Sequence, residues 1–481
     1  MIERPSLKRN ITYNFVYQLL ILVLPLMTAP YLSRVIGAEG VGVYSYSYSV
    51  ATYFVYLVML GLNNYGNRSI AAVQNDRVER SRCFWEIYTM QVVCFLIAGT
   101  VYVIYSIGFS DDIVIAFLQG IYVLSALFDV NWFFFGMEQF RLTVIRNTII
   151  KILTAVAVFA FVRNRGDIET YVAIMCTGFL VSQLALWPFL KRYVDFVKPS
   201  LKGVLQHFKP NLVLFVPVIA VSIYNILSKI VLGSMAGIEQ VGYFDNAVKI
   251  IQVPTALVTA IGTVMLPRTS ALVAKGEIET AAHHVEKTLV YVMAFTSVSA
   301  FGIPAIASPF TELFYGKGFE TTAACTVVLC GTIPLLGFGN VVRTQYLIPM
   351  AYDKVFLWSA VCGAVANIVT NLLLIPSLGS IGAAFGSVAA ETAVLLYQLV
   401  AVRKGIPLPR YLKIAFSFLA AGAAMAVVLF LLPLPTSGVV GLVVPVFAGL
   451  FLFALLSVIS LKLLGLKLSD VVPVFKKIHH R

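Results

Sequence analysis

Charged side chains make up only 12% of this sequence, and a few of them stand inside stretches that are otherwise apolar. Lys229 lies within the apolar run 221–232, and Arg34 closes a run that begins near Ile11. An ionisable group near the centre of a bilayer costs at least about 2.5–3.5 kcal/mol, so it faces a cavity, finds a partner or reaches the headgroups with its own stem. Arg34 and Lys229 therefore have two readings. They snorkel to the outer headgroups, or they form a cationic patch that binds an anionic group such as pyrophosphate through charge-assisted hydrogen bonds. Asp129, in Leu127-Phe128-Asp129-Val130-Asn131-Trp132, and Glu391, preceded by Ala389-Ala390, are carboxylates in similar surroundings. Each suits a proton or sodium carrier, or a counter-ion to a cation. Asp245, a third coupling candidate, is four residues from Lys249, a spacing that predicts an internal ion pair on one helical face. Arg68 and Arg268 stand near the inner ends of their runs, where they would grip a gate or a headgroup, or serve as charge anchors. Asn64, Asn131, Tyr46, Asn225 and Lys249 are candidates to line a polar path. The stripe Tyr44-Ser45-Tyr46-Ser47-Tyr48 would suit a sugar, or the membrane interface.

The elements that carry these residues follow from composition. Of 481 residues, 59% are hydrophobic, and the mean hydropathy is +0.90. Soluble domains hold roughly 45–50% apolar and about 25% charged residues, so a cytosolic enzyme, a disordered chain and a disulfide scaffold are excluded. A formal charge of +13 would suggest nucleic acid in a soluble protein. Here the basic residues lie mainly in short gaps between apolar runs, as orientation signals, and no nucleic acid is expected. A helical crossing needs about 20 apolar residues. Runs of that kind begin near Ile11, Val41, Phe84, Ile113, Thr148, Tyr171, Leu212, Tyr243, Thr288, Thr322, Phe356, Gly382, Ile414 and Val440, which predicts about 14 transmembrane helices. With the N-terminus in the cytoplasm, about 28 Lys and Arg fall on the inner side and about 4 on the outer, so both termini are expected inside. The runs are continuously apolar, which excludes a transmembrane β-barrel. No gap is long enough for a soluble domain. The cysteines show no CxxC spacing, and adjacent histidines such as His283-His284 and His479-His480 point about 100° apart on a helix, so no metal site and no cofactor are expected.

Two stretches resemble each other. Leu32-Ser33-Arg34-Val35 with Glu39-Gly40-Val41-Gly42-Val43-Tyr44 matches Leu227-Ser228-Lys229-Ile230 with Glu239-Gln240-Val241-Gly242-Tyr243-Phe244, and Arg68 falls on Arg268. An even number of helices separates the copies, which predicts two parallel six-helix lobes related by an axis along the membrane normal. The expected division is 1–190 for the first lobe (helices 1–6), 191–211 for a cytoplasmic linker, 212–401 for the second lobe (helices 7–12) and 402–481 for two appended helices and a basic tail. Twin lobes enclose a central cleft that opens alternately to either side, which points to transport. Prolines 25, 217, 254, 304 and 334 are expected to bend their helices. Gly379–Gly386 offers a small-residue face for close packing. No Lys-Ser/Thr follows it, so it is not a phosphate loop.

Several segments resemble the Wzx-type polysaccharide flippases: Thr28-Ala29-Pro30-Tyr31-Leu32-Ser33-Arg34-Val35-Ile36-Gly37-Ala38-Glu39-Gly40-Val41-Gly42, then Leu60-Gly61-Leu62-Asn63-Asn64-Tyr65-Gly66-Asn67-Arg68, Trp132-Phe133-Phe134-Phe135-Gly136-Met137-Glu138, Val241-Gly242-Tyr243-Phe244-Asp245-Asn246-Ala247-Val248-Lys249-Ile250 and Leu266-Pro267-Arg268. That family shares a superfamily with the multidrug-extruding MATE transporters and the lipid II flippases. The resemblance implies a MATE-like all-α fold and a transporter of the bacterial cytoplasmic membrane, not an enzyme. Its substrate would be an undecaprenyl-diphosphate-linked oligosaccharide moved from the inner to the outer leaflet, coupled to a proton or sodium gradient. Membrane lipids and polysaccharide assembly proteins are the further partners it suggests. Family members often carry an acid immediately before the lysine of helix seven, whereas here Ser228 precedes Lys229, so either another group balances that lysine or it relies on the phosphates of the substrate. A drug/cation antiporter is the alternative transport reading, although it would favour anionic cleft residues. A polysaccharide polymerase or ligase would normally need larger outer loops than these.

Overall fold

The computed structural model describes residues 23–432 and 438–463, apart from the side chains of Tyr224 and Asn225. The expected start of the first span at Ile11, the pair His479-His480 and the Asn225 side chain thus lie outside the described residues. The fold is all-α. Among the described residues, thirteen helical segments are long and apolar enough to cross a membrane. The thirteen expected runs from Val41 to Val440 each begin inside one of them. The fourteenth expected run, from Ile11, lies partly outside the described residues.

The chain divides into two compact units at Ser222/Ile223. The first comprises α1 (23–35), α2 (Gly37–Met59), α3 (Leu62–Val73), α4 (Arg77–Gly108), α5 (Ile113–Leu127), α6 (Asn131–Gly136), α7 (Phe140–Phe161), α8 (Ile168–Leu184), α9 (Trp187–Leu190) and α10 (Leu201–Ser222). Helix starts follow local chemistry. Asp76 accepts from the amides of Val78 and Glu79 to cap α4, and Asp112, in the turn before α5, accepts from Ile115. Fully buried Phe84, Trp132, Phe133 and Phe134 form an aromatic core where α3, α4 and α6 gather. Gly66 permits this approach, because a Cβ there would stand 2.6 Å from the Trp132 ring.

The second unit opens with a π-helical turn, Ile223–Leu227, followed by α11 (Ser228–Ala236), α12 (Ile238–Ala274), α13 (Ile278–Tyr315), α14 (Glu320–Leu329), α15 (Thr332–Val342), a second π-helical turn (Arg343–Leu347), α16 (Asp353–Leu378), α17 (Ser380–Val402), α18 (Leu408–Leu431) and α19 (Gly438–Leu463). Its apolar core draws on α13, α15, α17, α18 and α19 together, with Leu289, Met293, Phe338, Ile414 and Met425 buried. The last two helices thus share this unit's core. Many large apolar side chains on both units remain exposed, such as Leu153, Leu373 and Phe451. This suits helices whose outer faces meet lipid.

The internal repeat has a counterpart in backbone geometry. In the first copy α1 ends at Ile36-Gly37, with Gly37 at φ +72°; in the second, α11 ends at Gly237, with φ +97°. Both copies turn from one helix to the next through a left-handed glycine, a conformation that other residues rarely adopt. Pro217, Pro254 and Pro304 lie inside α10, α12 and α13. Pro334 lies inside the helical segment Glu320–Leu347, which departs from regular α-helix at Cys330-Gly331, four and three residues before it, as a proline bend does.

Candidate functional site

The second unit builds a three-member ion cluster from its repeat segment. Lys229 and Asp245 are each eight residues from Gly237, one on α11 and the other on α12, so the glycine turn folds them onto each other. Lys229 Nζ donates to Asp245 Oδ1 at 2.5 Å. Lys249 Nζ reaches Asp245 Oδ2 at 2.8 Å, forming the pair expected from the four-residue spacing. The side chains are 18%, 12% and 23% exposed for Lys229, Asp245 and Lys249. Two lysines against one aspartate leave the cluster a single positive charge. Asp245 is also the balancing acid that Ser228 does not supply. At the repeat offset of 200, Asp245 and Lys249 fall on Ser45 and Ser49, so the first copy lacks these two members.

Ser228 instead joins a polar group on α16. Its hydroxyl donates to Asn367 Oδ1 at 2.9 Å and accepts from Asn371 Nδ2 at 3.0 Å, while Asn371 also donates to Asn367. All three residues are buried. Asn367 and Asn371 were not anticipated; their i,i+4 spacing in an apolar run was the available signal.

In the first unit, Asp129 lies at the break between α5 and α6. Its Oδ1 accepts from the Asn131 backbone and side chain at 2.9 and 2.8 Å, and its Oδ2 accepts from Gln183 Nε2 at 3.3 Å. Buried Arg146 of α7 donates to Asn131 Oδ1 at 2.6 Å, to the Ser182 carbonyl and to Gln183 Oε1 at 3.4 Å. Two amides therefore stand between carboxylate and guanidinium. Arg146 and Gln183 were missed because single polar residues on separate helices have no shared sequence pattern.

A second buried network was also missed. Glu86 of α4, 5% exposed, accepts from Ser200 Oγ at 3.1 Å and lies 3.5 Å from His207 Nε2, whose Nδ1 is 2.6 Å from the Tyr65 hydroxyl. Gly203 makes room for it, since a Cβ there would overlap the Glu86 carboxylate. Among the other candidates, Arg34, Asn64, Arg68 and Arg268 are exposed, and Tyr46 is half-buried. Glu391 on α17 is partly buried, and its carboxylate has no hydrogen bond or ion pair among the described residues, with Arg343 the cation that acts on it.

A family model described as "Polysaccharide biosynthesis protein" matches residues 7–273. An Escherichia coli (strain K12) protein named "Putative O-antigen transporter" is 23% identical over 403 residues, covering 83% of this chain and 97% of that one. A Haloferax volcanii protein named "Probable low-salt glycan biosynthesis flippase Agl15" is 22% identical over 226 residues, 47% of either chain. The solved structure of the lipid II flippase MurJ in an inward closed conformation superposes with a TM-score of 0.75 at 16% identity, over 94% of this chain and 98% of that one. An inward-facing MATE family transporter superposes at 0.55 and 16% identity, over 82% and 99%. At these identities the two structures establish a MATE-like fold.

Proposed function

The chain belongs to the polysaccharide biosynthesis protein family, and from that premise we propose that it is a flippase for a polyprenyl-diphosphate-linked oligosaccharide. It works by alternating access and carries the glycan from the inner to the outer leaflet of the cytoplasmic membrane, with both termini in the cytoplasm. A diphosphate and a glycan are too polar to enter hydrocarbon unaided. The observation that carries this reading is the two-to-one ratio of lysine to aspartate at Lys229, Asp245 and Lys249. Asp245 holds both ammonium groups in place, and the uncompensated charge attracts phosphate oxygens through charge-assisted hydrogen bonds. Arg268, exposed on α12 of the same unit, adds a further cation to that unit. Polysaccharide assembly proteins would receive the product. A drug/cation antiporter would instead require surplus carboxylate at such a cluster.

The test is surface polymer in cells whose only copy carries Lys229→Met, measured with the amount of protein in the membrane. We expect export to fall at least about tenfold, the loss of one charge-assisted contact, at normal protein levels. Undiminished export would remove the lysine from the headgroup role.

For coupling, Glu391 is favoured over Asp129 and Asp245, whose carboxylates are already engaged by three donors and by two lysines. A carboxylate without such bonds changes protonation at smaller cost to its surroundings. In liposomes holding a pH-sensitive dye, the wild type is expected to move protons with substrate and Glu391→Gln to lose that signal. An intact signal would clear Glu391, and a requirement for sodium in place of protons would reassign the ion.

A further inference from the structure

A cavity of about 530 Å³ opens in the first unit between the start of α7 and the α8–α9 end. It carries three arginines, Arg141, Arg146 and Arg192, and no carboxylate. Arg146 is 8% exposed and fixed by its bonds to Ser182, Asn131 and Gln183, so one guanidinium is held rigidly. Arg141 and Arg192 are exposed, and neither has a carboxylate partner among the described residues. Arg192 lies over the Phe189 ring, 5.5 Å from its centroid, which orients its planar group.

Apart from Gln139 and Tyr193, the remaining wall is apolar, and it continues out of the cavity. Ile145 and Ile149 line it, and Leu153 and Val156 extend the same face of α7, at 39%, 52%, 61% and 58% exposure. From Arg141 to Val156 the helix rises about 22 Å, against a bilayer half-thickness of about 15 Å. Cations at one end of a seam and lipid-facing aliphatic side chains along it match one kind of molecule.

We propose that this cavity binds an acidic phospholipid, with the phosphate among the three guanidiniums and an acyl chain along the α7 seam. Arginine forks pair with phosphate oxygens two bonds at a time, and basic pockets between membrane helices are a recurring form of headgroup site. A soluble anion would make no use of the seam. A diphosphate bearing an oligosaccharide would press sugar hydroxyls against Leu142, Ile145 and Phe189, where they would lose water without replacement. With the termini oriented as proposed above, the site lies in the inner leaflet.

The experiment is native mass spectrometry of the full chain released from detergent with phosphatidylglycerol, phosphatidylcholine or glycerol phosphate. Phosphatidylglycerol is expected to be retained about tenfold more strongly than phosphatidylcholine, and glycerol phosphate not at all. Arg141→Gln with Arg192→Gln should lower phosphatidylglycerol retention about tenfold at an unchanged unfolding temperature. Ile145→Gln with Ile149→Gln, which keeps every cation, should also weaken it and is the recourse if the arginine variant misfolds. Equal retention by wild type and both double variants overturns the proposal. So does glycerol phosphate bound as tightly as the lipid, which would make this a soluble-anion site, or displacement of the lipid by an equimolar polyprenyl diphosphate, which would make it a substrate site.

Discussion

Asp245→Asn is expected to destabilise the protein by about 3–5 kcal/mol, the usual cost of stripping one partner from a buried ion cluster. The amide cannot neutralise Lys229 or Lys249, and two ammonium groups held at 2.5 and 2.8 Å from the same side chain would repel each other. Unfolding temperature in detergent and the amount of protein in the membrane should both fall. The companion variants separate stability from transport. Lys229→Met leaves one lysine against one aspartate, a neutral pair, and should keep the unfolding temperature close to wild type. The triple replacement Lys229→Met, Asp245→Leu and Lys249→Met removes every charge at once. Because apolar residues of similar volume often substitute for buried ion clusters without loss, it should also accumulate normally, yet export no polymer. A stable, active Asp245→Asn would mean that the lysines are already satisfied elsewhere and that the cluster holds no surplus charge.

The same cluster shows what a sequence can and cannot disclose. The Asp245–Lys249 pair follows from helical spacing alone, since four residues always share a face. The Lys229–Asp245 contact does not, because sixteen residues separate the two. Their equal distance from Gly237 acquires meaning only once that glycine is known to turn the chain. Membrane spans were legible because length and hydropathy are summed over about 20 residues, and a few exceptions do not erase the sum. Individual polar contacts have no such redundancy. Asn131, Arg146 and Gln183 come from three separate helices, and each looks like an isolated interruption until the helices pack. The π-helical turns at Ile223–Leu227 and Arg343–Leu347 are similarly hidden, as no residue type there demands an extra residue in the turn. The bend at Pro334 was legible because a proline disrupts the turn before it in any helix, and the interruption between α14 and α15 falls at Cys330-Gly331, four and three residues upstream.

Small residues were the other legible signal, and they yield the second large effect. Gly382→Ala should destabilise the protein by about 1–3 kcal/mol, with a correspondingly lower unfolding temperature. A Cβ at Gly382 would stand 2.5 Å from the Leu374 carbonyl oxygen and 2.6 Å from its carbon. Both are backbone atoms, which cannot swing aside as a side chain would, so α16 and α17 must separate. The strain would reach the proposed binding cluster. Gly386, one turn further along, lies against Asn371, and a Cβ there would be 2.0 Å from Asn371 Oδ1. Asn371 in turn donates to Ser228, the residue before Lys229. Spreading these helices therefore loosens the polar contacts that hold the start of α11. Gly99→Ala is the matching control. Its nearest foreign atoms are the Phe95 ring at 3.6 Å, so the added methyl meets ordinary contact while helix propensity gains about 0.5–1 kcal/mol. If Gly382→Ala instead unfolds with the wild type, the α16–α17 crossing is looser than the atomic distances require. The link from the small-residue face to Ser228 would then have to be abandoned.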